Sequence, residues 1–191
     1  MLPAYPLGEK YSFIKKRGLY LFDLFDAPLF VSNAHGIVIF LHLAPGGDVL
    51  ANAKRMGATP AQLAALESEA EADNDEAFGE LVRTEWPLYF HAYLPAYARL
   101  LDDVVYSVQG QPPAAETAAY DVTARLGEIT APTLVLAGRS DFVCPPSQAE
   151  TLARGIPGAE LRVFEKSGHM PFVEEPEATF TAVRDWFARH R

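Results

Sequence analysis

At 191 residues, the chain has room for one domain with a sizeable core, or a smaller domain carrying an insertion. Its 49% hydrophobic and 21% charged residues suit a soluble globular protein, and 16 basic against 25 acidic side chains leave a net charge of −9. That charge excludes a phosphate-binding surface and with it a nucleic-acid partner, while a single cysteine, Cys144, excludes an internal disulfide and fits a reducing, cytoplasmic setting.

Met1 to Tyr11 lack the basic, apolar and small-residue succession of a secretory leader. The longest apolar stretch, Ala27 to Ala44, is broken by Asn33, His35 and His42. Its uninterrupted part, Gly36 to Leu41, falls far short of the roughly 20 residues that span a bilayer, so no membrane partner is expected. Residues 1–34 are apolar and aromatic without a clean period. Ile37 to Leu41 read as a core strand, placed over about 36–43 and closed by a Pro45-Gly46-Gly47 turn. Residues 1–45 therefore form an N-terminal segment with one core strand.

Residues 46–120 read as helical. Thr59-Pro60-Ala61-Gln62 is a capping box with proline at the first helical position, opening a helix to about Ala72. A second helix starts near Asp75 and carries Phe78, Leu81, Val82, Trp86 and Tyr89 on one side; a third covers Tyr93 to Leu101. Twelve acidic residues face four basic ones between Gly46 and Tyr120. A solvated surface or a site for cationic groups would both produce that bias.

Residues 121–191 alternate strand and helix. Asp121 caps a short helix through Leu126, and Thr133 to Ala137 is an apolar run expected as a strand buried on both faces. A helix follows over Ser147 to Arg154 with Gly155 as its C-terminal cap, then a strand from Leu161 to Phe164, a loop over Glu165 to Glu175, and a helix from Pro176. This order implies a parallel sheet covered by helices.

Two loops, each directly after a strand, hold the chemistry: Gly138-Arg139-Ser140-Asp141 and Ser167-Gly168-His169-Met170-Pro171-Phe172. Active crevices of such sheets lie at the carboxyl ends of strands, so Asp141 and His169 can meet there. A carboxylate that orients an imidazole makes it a base for a nucleophile, and Asp before His is the order of one family of serine hydrolases. Cys144 reads as a small loop residue, not as a nucleophile. His35, His42, His91 and His190 show no metal-ligand spacing, so no metal or other cofactor is expected.

The run Ala131-Pro-Thr-Leu-Val-Leu-Ala-Gly-Arg-Ser-Asp, followed by Ser167-Gly-His-Met-Pro-Phe-Val-Glu-Glu-Pro-Glu, resembles the α/β-hydrolase superfamily over residues 121–191. Met56-Gly-Ala-Thr-Pro-Ala-Gln-Leu and Glu85-Trp-Pro-Leu-Tyr-Phe look like the helical cap of its proline iminopeptidase branch. The resemblance implies an α/β fold with that cap inserted after the sixth strand, here 36–43. It further implies Asp141 as triad acid, His169 as base, a small peptide or small-molecule substrate, and cleavage of an N-terminal residue. Acidic cap residues would hold the substrate's amino terminus, with Glu76, Glu80 and Glu85 as candidates. Another capped hydrolase of esters, epoxides or amides, and a non-catalytic binding module, remain as rival readings.

The nucleophile is not identified. The elbow Gly-x-Ser-x-Gly occurs at none of the seven serines (Ser12, Ser32, Ser68, Ser107, Ser140, Ser147 and Ser167), and no His-Gly-Gly supplies an oxyanion hole. By the resemblance, five strands and the elbow precede the sixth strand, so the N-terminal strands read as largely missing. The chain is expected to be a truncated hydrolase, inactive alone, with an exposed sheet edge open to self-association.

Overall fold

The computed structural model describes residues 29–33, 36–40, 49–102, 104–108 and 123–190. The capping role of Asp121, the Pro45–Gly47 turn and the end of the first expected strand beyond Phe40 lie outside them. Four strands form one sheet in the order β1-β2-β3-β4: β1 (Leu29–Asn33), β2 (Gly36–Phe40), β3 (Thr133–Gly138) and β4 (Glu160–Phe164). β2, β3 and β4 are parallel, with Ile37 opposite Thr133 and Leu134 opposite Glu160. β1 had no signal in the sequence; it pairs antiparallel with β2, Asn33 opposite Gly36.

All six residues of β3 are buried, as a strand covered on both faces requires. Its alternating side chains feed two cores. Val135 and Ala137 pack with Leu126, Ala149, Leu152 and Ile156 beneath α4 (Pro146–Gly155). Leu134 and Leu136 pack with Phe164 and Trp186 beneath α6 (Pro176–Arg189). Each fully buried aliphatic side chain contributes about 1.5–3 kcal/mol of transfer free energy. Gly155, expected as the C-terminal cap, is instead the last residue of α4. It is small because a Cβ there would lie 2.6 Å from Leu126 Cδ1.

Between β2 and β3 the chain leaves the sheet, and the described residues of 49–108 contain helices and no strand. α1 (Val49–Arg55) was not foreseen. α2 (Pro60–Ser68) begins with the expected capping box: Gln62 N donates to Thr59 Oγ1 at 3.3 Å and Thr59 N to Gln62 Oε1 at 2.9 Å. It stops short of Ala72 and tightens into a 3-10 turn, Glu69–Glu71, as helix C-termini often do. α3 (Asp75–Glu85) is capped by Asn74 and ends earlier than expected, since Pro87 has no N–H to continue it. Trp86–Tyr89 and Pro95–Leu101 are 3-10 helices, where α-helical continuation to Tyr89 and an α-helix from Tyr93 were expected. The loop after β4 also holds a short helix, α5 (Pro171–Glu174).

The aromatic residues of this segment meet the sheet at the carboxyl ends of its strands. Trp86, Tyr89 and Phe90 cluster with Phe142 from the loop after β3 and Met170 from the loop after β4. No described helix is long and apolar enough to cross a membrane.

Candidate active site

The loops after β3 and β4 are pressed together so closely that side chains are excluded between them. A Cβ on Gly138 would sit 1.9 Å from the Gly168 carbonyl oxygen, and one on Gly168 would sit 2.5 Å from the Tyr89 carbonyl oxygen. Three backbone segments of the site, the end of β3, the loop after β4 and the helical segment, thus meet through two glycines. Ser140 N donates to Ser167 O at 2.9 Å, and His169 N donates to Tyr89 O at 2.7 Å. Glu174 joins the same segments, accepting from Gly168 N at 2.7 Å and Ala92 N at 3.0 Å. Its neighbour Glu175 accepts from Ser167 Oγ and Lys166 N.

Asp141 sits in this junction, 7% exposed. Its Oδ1 accepts the amides of Val143 at 2.9 Å and Cys144 at 2.8 Å, closing a turn. Its Oδ2 lies 2.9 Å from His169 Nδ1. One carboxylate therefore serves both the turn and the imidazole, and the two amides aim Oδ2 at the ring. The ring packs edge-on against Tyr89, centroids 5.6 Å apart, and Tyr89 packs edge-on against Phe142 at 5.2 Å. Outside the junction, Arg139 pairs with Glu165 across the same two loops at 2.6 Å; the pairing raises the guanidinium's pKa and lowers the carboxyl's.

The three candidate acids of the helical segment separate by helical phase. Phe78, Val82 and Glu85 form the buried stripe of α3, and Glu85 is 0% exposed. Glu76 and Glu80 lie off that stripe and are exposed. Two features were not anticipated. His91, read as structural or exposed, places Nδ1 2.7 Å from Ser140 Oγ, tying the helical segment to the acid loop. Cys144 stands beside Asp141 and His169, with one donor atom of each within 4.8 Å of the others. Neither contact follows a sequence spacing, because each joins residues brought together only by the fold.

A parallel sheet with an acid and an imidazole at its strand ends is the arrangement of an α/β hydrolase, and the alpha/beta hydrolase family matches residues 20–182. The chain belongs to that family. Its C-terminal part is similar to proline iminopeptidases and to other hydrolases of the family. It is 41% identical over 71 residues to the proline iminopeptidase of Levilactobacillus brevis, covering 37% of this chain and 23% of that protein. It is also 42% identical over 66 residues to a 2-hydroxy-6-oxononadienedioate/2-hydroxy-6-oxononatrienedioate hydrolase of Cupriavidus pinatubonensis, covering 35% of this chain and 23% of that protein. Among solved structures, an esterase from Exiguobacterium antarcticum superposes with a TM-score of 0.52 at 25% identity, over 66% of this chain and 47% of that one. The proline iminopeptidase of Mycobacterium smegmatis gives 0.53 at 21% identity, over 80% and 56%, a likeness of fold. The chain spans about a quarter of the length of these curated relatives and about half that of the solved chains.

Proposed function

We propose that this chain supplies the acid and base of a serine-hydrolase triad that releases the N-terminal residue, proline by analogy with its relatives, from small peptides. The observation that carries the reading is the 2.9 Å contact between Asp141 Oδ2 and His169 Nδ1 at the carboxyl ends of adjacent parallel strands. In this role Nδ1–H donates to Oδ2, which leaves Nε2 as the acceptor for a hydroxyl proton. His169 takes that proton as the nucleophile attacks and returns it to the departing amine, while Asp141 stabilises the imidazolium formed in between. The segment 49–108 acts as a cap, and Glu85 is the preferred acid for the substrate's ammonium group. It is buried, and it stands four residues before the Tyr89 whose carbonyl holds the amide of His169.

No serine of this sequence stands in an elbow, and Ser140, the serine nearest the acid in sequence, is turned to His91. The 191-residue chain alone is therefore expected not to hydrolyse proline arylamides or short esters, because acid and base act only with a nucleophile presented to them. Labelling with a fluorophosphonate probe and peptide mapping tests this. A serine labelled stoichiometrically in the parent and not in His169→Ala would show that the chain holds its own nucleophile.

A second reading, a capped hydrolase of a different substrate class, is favoured by the 42% identity to the Cupriavidus enzyme. Calorimetric titration separates the two. Prolinamide should bind and should lose affinity in Glu85→Gln; a dicarboxylate that binds where prolinamide does not would support the second class.

A further inference from the structure

We propose that Asp141, Cys144 and His169 form a three-ligand site for a thiophilic divalent cation such as zinc. One carboxylate oxygen, one sulfur and one ring nitrogen lie within 4.8 Å of one another, and the oxygen and nitrogen of the acid–base pair are already 2.9 Å apart. Tetrahedral zinc, with about 2.3 Å to sulfur and about 2.0–2.2 Å to nitrogen and oxygen, needs its donors roughly 3.3–3.7 Å apart. To close on one ion, the oxygen and nitrogen must part by about 0.4–0.8 Å and the sulfur must lie as near to both.

The surroundings suit a ligand set. Oδ1 of Asp141 is held by the amides of Val143 and Cys144, which orients Oδ2, and the backbone of His169 is held by Tyr89. Such outer contacts are what keep ligands aimed at a metal. Cys144 and His169 are half-buried, so an ion reaches them from solvent. A thiolate beside an imidazole and a carboxylate selects zinc, cadmium or cobalt over magnesium or calcium. Loading releases the thiol proton to solvent, replaces the Nδ1–H···Oδ2 hydrogen bond and takes the imidazole as the neutral ring with its proton on Nε2. The loaded ion occupies donors of the acid–base pair, so it holds Asp141 and His169 away from any hydroxyl. Binding itself does not depend on their catalytic role.

The test titrates the full 191-residue chain, kept reduced, with cobalt(II) and then zinc. One equivalent of cobalt should bind with a thiolate-to-cobalt charge-transfer band in the near ultraviolet, and zinc should displace it. Cys144→Ser and Cys144→Ala should abolish the band and weaken zinc binding on the order of 100-fold. His169→Ala should weaken it as well, with circular dichroism checking that each variant is folded. Absence of the band in the parent, or zinc affinity unchanged in both Cys144 variants, would overturn the proposal. A band that persists in His169→Ala would overturn it too, by placing the cation elsewhere.

Discussion

Asp141 shows how one side chain can carry two obligations. Its Oδ1 closes a turn through two amides and its Oδ2 takes the imidazole, so truncation orphans three donors in a buried place. Asp141→Ala should cost about 2–4 kcal/mol of stability by urea denaturation, against about 1 kcal/mol or less for His169→Ala, whose ring is partly exposed. Equal losses would mean that the ring, not the turn, is what the carboxylate supports. The exposed Arg139–Glu165 pair carries a different expectation. Arg139 holds the Glu165 carboxyl below the usual range, first through the hydrogen bond to the guanidinium. Because the folded value is depressed, the pair's contribution exists above the ordinary carboxylate range and fades as pH falls through the depressed value. In Arg139→Ala, carbon-detected NMR should show Glu165 titrating at its ordinary position.

Elements with a local chemical signal were legible in the sequence. The Thr59–Gln62 capping box, the proline starts of α2 and α6, and the apolar run of β3 all name their own positions. Thr59→Ala should cost about 1 kcal/mol and speed amide exchange in the first turn of α2 while leaving α6 untouched. The failures have a common origin in tertiary demand. Gly155 looked like a helix cap because glycine ends helices, whereas its smallness serves contact with Leu126, distant in sequence. β1 was invisible because strand pairing with β2, not any period of its own, defines it. The 3-10 turns at Trp86–Tyr89 and Pro95–Leu101 differ from α-helix by a shift of one hydrogen-bond step, which side-chain pattern does not encode. The meeting of Asp141 with His169 was readable because each follows a strand within a short motif; the contacts of His91 and Cys144 were not, since they depend on which loops the fold brings together.

For the whole molecule, β3 is the hinge of stability, since it feeds both cores of the sheet. Leu136→Ala should cost about 2–5 kcal/mol, and thermal melts followed by tryptophan fluorescence should report it, Leu136 packing in the cluster of Trp186. A smaller cost would mean that the core beneath α6 collapses into the vacancy. The helical segment, for its part, is not loosely perched on the sheet. The carbonyl of Tyr89 holds the amide of His169, Glu174 holds Ala92 and Gly168 together, and His91 holds Ser140, all within four consecutive residues. Those four residues are a fulcrum. A push on the aromatic wall of Trp86 and Phe90 has a single hydrogen bond to cross before it reaches the backbone of His169, so the segment is geared to that imidazole.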